Sequence, residues 1–506
     1  MRLYLGVDVG TTHITALALD AASGNILTSQ SVLNTAEITA PADRSRGRSE
    51  WDAARMVELA WEAMRRVAAA LPDPRAICGI GVSGQMHGVC LLDVDLKPTP
   101  PFIGWQDRRG EERIPDADET YLERIQRLAG DLPRARLATG FMGVTLFWLH
   151  VGAIHELPLQ GARAAFISDL VVSWLTGEPP CTDPSNADGS GLFDATARQW
   201  NGPLLARLGI AEELLPTVRL APSTAGGLRA ELATQLGVRS GIPVGVSIGD
   251  NQASFLGSVA DYVNSVSLNI GTGGQLSVHI PAYLADPLLE TRCYPDGGYL
   301  LVSAGLCGGR SYAILRDFFR AVGQAFFGAR PVGAIQPMGT IGELPLQSTR
   351  GDEDLYERMN ELAAGVPSGS DGVICEPLFA GARHDPGRRA LWRGLSATNF
   401  TPAHLARSLL EGLVRTFAES YERMRQIGVT ERRILVGAGN GIRRNPLLAR
   451  IAAQGFGMSL YTPVHEEEAA FGAAMLAAVG AGHFPDLGSA GRLIRYKSAD
   501  QADEAD

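Results

Sequence analysis

The stretch whose reading decides the fold is "YLGVDVGTTHITALALD", residues 4–20. Apolar residues alternate as far as Asp8, the chain turns at Gly10-Thr11-Thr12, and alternation resumes from His13. A P-loop or dinucleotide site would leave its glycine turn into a helix. Here the residues after the turn, "HITALALD", keep the strand period and carry β-branched side chains, so the spacing predicts a β-hairpin. A Gly-Thr-Thr turn presents bare backbone N–H groups and two hydroxyls, which suit phosphate oxygens. On this stretch alone, an ordinary hairpin with a polar tip is the simpler reading.

A second stretch, half a chain later, changes that balance. "NSVSLNIGTGGQLSVHI", residues 264–280, again reads as strand, Gly-Thr turn, strand. Asn269-Ile270-Gly271-Thr272-Gly273 repeats Asp8-Val9-Gly10-Thr11-Thr12 position by position. Two phosphate-type hairpins in a chain of 506 residues, too long for one core, predict a duplicated α/β domain with the turns facing across a cleft. The expected division is residues 1–245, residues 246–490 and a polar tail over 491–506.

Composition excludes several classes. A net charge of −10 argues against a nucleic-acid or anionic-membrane surface. Only Lys97 and Lys497 are lysines, in a turn and in the tail, so a phosphate-cradling P-loop lysine is absent and a Schiff-base lysine is not expected. The six cysteines are scattered with no C-x-x-C pair, which fits reduced thiols and no zinc site. No apolar run reaches the roughly 18 residues of a membrane span, and Asp8 falls too early for a signal peptide. A cytoplasmic protein is the expectation.

Between and beyond the hairpins, periodicity predicts helices over 50–71, 163–178, 400–428 and 465–482, the last with "HEEE" at its start. Residues 78–93, "CGIGVSGQMHGVCLLD", read as strand, polar turn, strand, and 182–201 as loop chemistry before a short helix. Residues 241–250 form a buried-type strand ending on Asp250, and a helix begins at Asn251. Residues 433–457 are strand, glycine loop and helix, with Asn445 as cap and Pro446 at its first position.

Four polar groups carry candidate chemistry. Asp8 beside a phosphate turn would repel phosphates unless a cation lies between, and hydrated Mg²⁺ is the natural mediator; a carboxylate bonded within its own turn is the plainer alternative. Asp250-Asn251, taken alone, reads as a helix cap. Gln85-Met86-His87 present amide, thioether and imidazole on a tight turn, suited to a neutral polyhydroxylated ligand, although a lone histidine is more often structural. "GAGNGIRRNP" lines a loop with bare backbone against which a flat base could lie.

Together these residues resemble the FGGY family of carbohydrate kinases over nearly the full chain. The motifs are "GVDVGTTHITA", "GVSGQMHG", "GWQDRRG", "TDPSNADGSGLFD", "SIGDNQASFLGS", "LNIGTGGQLSV" and the "GAGNGIRRNP" segment running on to "EEEAAFGAAML". The resemblance implies two actin-like (ribonuclease H-like) domains with a cleft between them, ATP and Mg²⁺, and transfer to a primary hydroxyl of a ketose. By position it implies Asp250 as catalytic base and Asp8 as the metal-orienting carboxylate. It puts sugar contacts at Gln85, Met86, His87, Trp105, Asp107 and Asn251. Gly10, Thr11, Thr12, Gly271, Thr272 and Gly273 match the phosphate loops, and Gly309, Gly439, Asn440 and Asn445 the rest of the nucleotide side. "WQD", "GDNQ" and "FAGARH" look closer to sedoheptulokinases, with xylulokinases next. Ala382 and His13 depart from the family pattern. The expected partner is a small sugar, and a homodimer is compatible with it. A non-catalytic sugar sensor should have lost Asp250 or a phosphate loop, and an actin-like filament or chaperone ATPase has no need of "SGQMHG" with "GDNQ".

Overall fold

Both hairpins form. In the computed structural model, Leu3–Val9 pairs antiparallel with His13–Asp20, and Ser265–Ile270 with Gly273–Ile280. The structure describes residues 1–132, 137–151, 161–327, 350–381, 385 and 387–498. Each hairpin lies at the centre of a seven-stranded sheet. In the first sheet, Leu3–Val9 has the parallel strand Ile77–Gly84 on its other side, and His13–Asp20 is followed by antiparallel Ile26–Leu33. In the second, Ser265–Ile270 has parallel Ile434–Ala438, and Gly273–Ile280 is followed by antiparallel Tyr299–Cys307. The same four-strand order on both sides is what duplication predicts.

Helices cover the sheets as their apolar faces require. Ala53–Ala70 starts on an Asp52 cap that accepts from the Arg55 N–H at 3.0 Å, and lies against the first sheet. It begins three residues later than expected, because Glu50–Trp51 is a strand paired with Phe102 and Ile103. Pro402–Gln426 starts on Thr401, as its Thr-Pro signal predicts. Its Phe417 is fully buried beneath Gly274, where any side chain would collide with the ring.

The two halves meet along Glu468–Gly480, a helix that is buried on nearly every side. It comes late in the chain, yet it packs on the first sheet, where Gly6 and Gly81 lie directly beneath the backbone of Ala470 and Ala473. It also crosses the helix Asp250–Ser258 at Gly257 and Gly472, each facing the other helix's backbone. A Cβ at any of these four glycines would collide with main chain, so the close approach depends on them.

Three expectations need correction. Arg163–Ala165 is a strand, and the helix runs only from Ile167 to Thr176 before a left-handed Gly177. Residues 491–498 are not a frayed tail: Leu493 and Ile494 are buried, and Tyr496–Ser498 pairs with Ser459–Pro463. Residues 499–506 lie outside the described residues. Finally, Ile248–Gly249 still pairs with Ile77–Gly84, so the chain leaves the first sheet after Gly249 and not at residue 245.

Candidate active site

Register alone assembles the first wall of the site. Asp8 is level with Ser83, and Ser83 with Ile248; one step on, Val9, Gly84 and Gly249 are level. The next residues are Gly10, Gln85 and Asp250. The phosphate-type turn, the polar turn and the candidate base therefore leave the carboxyl ends of neighbouring parallel strands, where open α/β sheets bind ligands.

Asp250 is the first residue of its helix, and the cap is Gly249. The helix thus starts one residue earlier than expected, and Asp250 is not its cap. Its Oδ1 accepts from the Asn251 N–H at 2.7 Å. Burial raises its pKa to about 6, against the lowering effects of the Asn251 N–H and the Arg292 charge. Asp8 is raised to about 7, first by burial and then by the charge of Asp250, while the Ser83 hydroxyl donates to it at 2.8 Å and opposes the shift. Glu467 is also raised, by burial and then by Glu468 and Asp8. Carboxylates crowded this way favour a cation among them. Among the described residues no group of three or more His, Cys, Asp or Glu is arranged as a metal cage. The donor set fits a Mg²⁺ ion held through one or two carboxylates, its shell completed by substrate phosphates and water.

Gln85 of the polar turn is 2% exposed, and among the described residues neither end of its amide has a hydrogen-bond partner. A buried amide in that state costs roughly 1–3 kcal/mol until it is bonded, which a hydroxylated ligand would supply. His87 sits at φ +66°, stacks on Phe141 at 4.0 Å and bonds the Gly189 carbonyl through Nδ1 at 2.6 Å. Met86, His87, Phe141 and Asp188 from the first half, with Glu290 and Arg292 from the second, line one cavity. Trp105 is 44% exposed, and its Nε1–H donates to the Thr11 hydroxyl of the Gly-Thr-Thr turn at 3.2 Å.

Two expected sugar contacts are already engaged with protein. Asp107 is fully buried and accepts from the Arg109 N–H, the Arg109 guanidinium and the Ser49 N–H, at 2.7–2.9 Å. It braces the wall and offers no free carboxylate. Asn251 donates to Gln275 at 3.1 Å and accepts from Arg292 at 3.0 Å. Arg292 and its ion-pair partner Glu290 also line the cavity, which no local pattern in "ETRC" reveals.

In the second half, the Gly271–Gly273 turn is braced by backbone: the Gly309 and Arg310 N–H groups donate to the Gly271 and Thr272 carbonyls at 2.9 and 3.0 Å. Among the described residues, chain neighbours aside, no atom lies within 4 Å of a Cβ built on Gly271 or Gly273, which leaves their backbone open to close approach. Gly439 has φ +79°, and a Cβ there would sit 2.5 Å from Asn269 Oδ1, so only glycine fits between the strands at this turn. Asn440 opens a one-turn helix, Asn440–Arg443. Asn445 caps Pro446–Phe456 through the Leu448 N–H at 3.0 Å and donates to Asn360 at 3.0 Å, so both ends of its amide are engaged with protein. Ala382, Arg383 and His384 of "FAGARH" lie outside the described residues.

Twin hairpin-led sheets, with polar turns at their carboxyl ends and a cavity lined from both, define an actin-like two-domain kinase architecture. The chain belongs to the FGGY family of carbohydrate kinases: residues 3–257 match the model of its N-terminal domain and 266–481 that of its C-terminal domain. It is an ATP-dependent carbohydrate kinase. It is 29% identical over 510 residues to a sedoheptulokinase of Homo sapiens, covering 94% of this chain and 97% of that protein. It is 24% identical over 493 residues to a xylulose kinase of Haemophilus influenzae, covering 94% and 90%. The solved xylulose kinase of Rhodospirillum rubrum superposes with a TM-score of 0.81 at 22% identity, covering 98% and 94%, and shares the fold. Among the described residues no helix is long and apolar enough to cross a membrane.

Proposed function

We propose that the protein transfers the γ-phosphoryl group of ATP to the terminal primary hydroxyl of sedoheptulose, forming sedoheptulose 7-phosphate, with Asp250 as general base. The supporting observation is the buried, unpartnered Gln85 amide one strand away from Asp250 at the same sheet edge. A sugar bonded there brings a hydroxyl beside the carboxylate. As the hydroxyl oxygen bonds to the γ-phosphorus, the bond from phosphorus to the ADP oxygen breaks and the hydroxyl proton passes to Asp250. The Gly10–Thr12 and Gly271–Gly273 N–H groups and hydroxyls hold the phosphates in line. Asp8 would hold a Mg²⁺ ion through its waters, and the ion would supply positive charge to the phosphates. Trp105 covers the gap between sugar and phosphate and keeps water from the reacting atoms.

Sedoheptulose is favoured by "GWQD" and "GDNQ" and by the identity to sedoheptulokinases over nearly the whole chain. The second reading is D-xylulose, since xylulose kinases match over a similar span. A panel of free ketoses in a coupled ADP-release assay separates them. Sedoheptulose should show the highest kcat/KM; a tenfold advantage for D-xylulose, about 1.4 kcal/mol in transition-state binding, reverses the choice.

A further inference from the structure

Two sequence features take no part in that chemistry: the "TDPSN" run at 182–186, and Gln252, two residues after the base. The fold brings them together. The buried helix Pro184–Asp188 is capped by Asp183, which accepts from the Ser185 and Ala221 N–H groups, each at 2.8 Å. From this helix, Ser185 Oγ accepts from the Gly249 N–H at 3.3 Å, directly before Asp250. Asp188 Oδ2, at its other end, accepts from the Cys293 N–H at 3.3 Å, in the second half of the chain. The Cys293 carbonyl in turn accepts from Gln252 Nε2 at 3.1 Å. These three bonds close a ring that holds the backbone on both sides of Asp250. Beneath it, Asp169 Oδ1 accepts from the Ser247 hydroxyl at 2.5 Å, and Asn186 Nδ2 reaches Ser168 and Ser247 at 3.3 Å.

We infer that this ring is a positioning device for the base: Ser185 and Gln252 aim Asp250, and the Asp188–Cys293 bond makes that aim depend on both halves of the molecule. Both Ser185 and Gln252 are fully buried, and Ser185 Oγ and Gln252 Nε2 are engaged with the Gly249 N–H and the Cys293 carbonyl. Their effect runs through the carboxylate, and the inference rests on Asp250 being the base. A misplacement of about 1 Å in such a group can cost on the order of 10²-fold in rate, so loosening one bond of three should cost about tenfold.

The test is a double-mutant cycle. Ser185→Ala removes the acceptor for Gly249, and Gln252→Met keeps the side-chain length while removing the donor. Each should lower kcat about tenfold with KM for ATP within about twofold, and Ser185→Thr should recover most of the loss. In an Asp250→Asn background the same substitutions should cost less than about twofold, because no base remains to be misaimed. Equal losses in both backgrounds would make the ring a mere support of the fold and overturn the inference. If Ser185→Ala does not fold, the Gln252→Met cycle decides by the same criterion. Wild-type turnover by Asp250→Asn alone would remove the base itself, a failure distinct from an additive cycle around a base that matters.

Discussion

The two glycine-threonine turns share a frame and differ in charge. The first follows Asp8 and is gripped by side chains: Asn34 donates to the Gly10 carbonyl at 3.1 Å, and Trp105 to Thr11. The second follows Asn269 and is held by backbone: the Gly309 and Arg310 N–H groups donate to its carbonyls. Each half supplies one such turn. Asp8, whose charge is felt by Glu467 and which itself feels Asp250, precedes the first, and the uncharged Asn269 precedes the second. A triphosphate is highly anionic, so carboxylates around both turns would repel it from two directions; with one neutral turn, a single cation suffices. On the proposed reading the acceptor sugar lies against the first turn's side of the cleft and the nucleotide against the second.

The most severe way to break this division is Asp250→Asn. The Asp250 side chain does not cap its helix, so the substitution should leave the fold and ATP binding intact. Turnover should fall roughly 10²–10⁴-fold, the usual worth of a general base, with KM for sugar changed far less. A folded variant working near the wild-type rate would leave positioning and phosphate electrostatics as the whole of catalysis.

Asp8→Asn makes the first turn resemble the second. The Mg²⁺ concentration for half-maximal activity should rise about 10- to 100-fold, the usual effect of losing a group that acts on a metal through its waters. Stability should move the other way. The carboxyl of Asp8 is raised to about 7 in the folded chain and titrates near 3.8 when unfolded. Between those values the folded state binds more protons, so stability falls as pH rises, and the full penalty stands above pH 7. Asn carries no charge to bury. The variant without ligand should therefore melt higher than wild type at pH 8, by about 2 °C, and the gain should shrink at pH 5. Equal gains at both pH values would show that charge is not the cause. The same pKa values predict that wild-type kcat/KM rises with pH through about 6 to 7, as Asp250 and Asp8 lose their protons.

Much of this was legible because it is local. Strand alternation with Gly-Thr turns, the Thr401-Pro402 start and the Asn445-Pro446 start are written in adjacent residues, and the structure reproduces each. What stayed hidden depends on partners distant in sequence. Leu493 and Ile494 look like strays in a polar tail until Gly491–Leu493 meets Ala260 and Tyr496–Ser498 extends the second sheet. Asp107 looks like a substrate ligand until Arg109 and Ser49 occupy both its oxygens. Asp250 looked like a cap because Asp and Asn are good caps, but Gly249 already holds the extended backbone that a cap requires.

The finest distinction between the two turns is the side-chain grip itself, and Asn34→Ala tests it. Asn34 binds twice: its amide donates to the Gly10 carbonyl, and its Oδ1 accepts from the Ala36 N–H at 3.2 Å. Its own N–H, at 2.9 Å from the Thr12 carbonyl, survives the substitution. The Gly10 bond is therefore lost, while the backbone bond to Thr12 and the Trp105 bond to Thr11 are kept. A neutral hydrogen bond of this kind is worth about 0.5–1.5 kcal/mol, which corresponds to roughly a two- to tenfold rise in KM for ATP if the grip orders the turn for phosphate. Since kcat depends on Asp250, it should change less than KM. Among the described residues the second turn has no equivalent side chain, so its dependence on Gly309 should persist unaltered in the variant. If ATP affinity is unchanged while thermal stability drops by the same free energy, the Asn34 bond serves the hairpin alone. The two turns would then differ in charge and not in how firmly they are held.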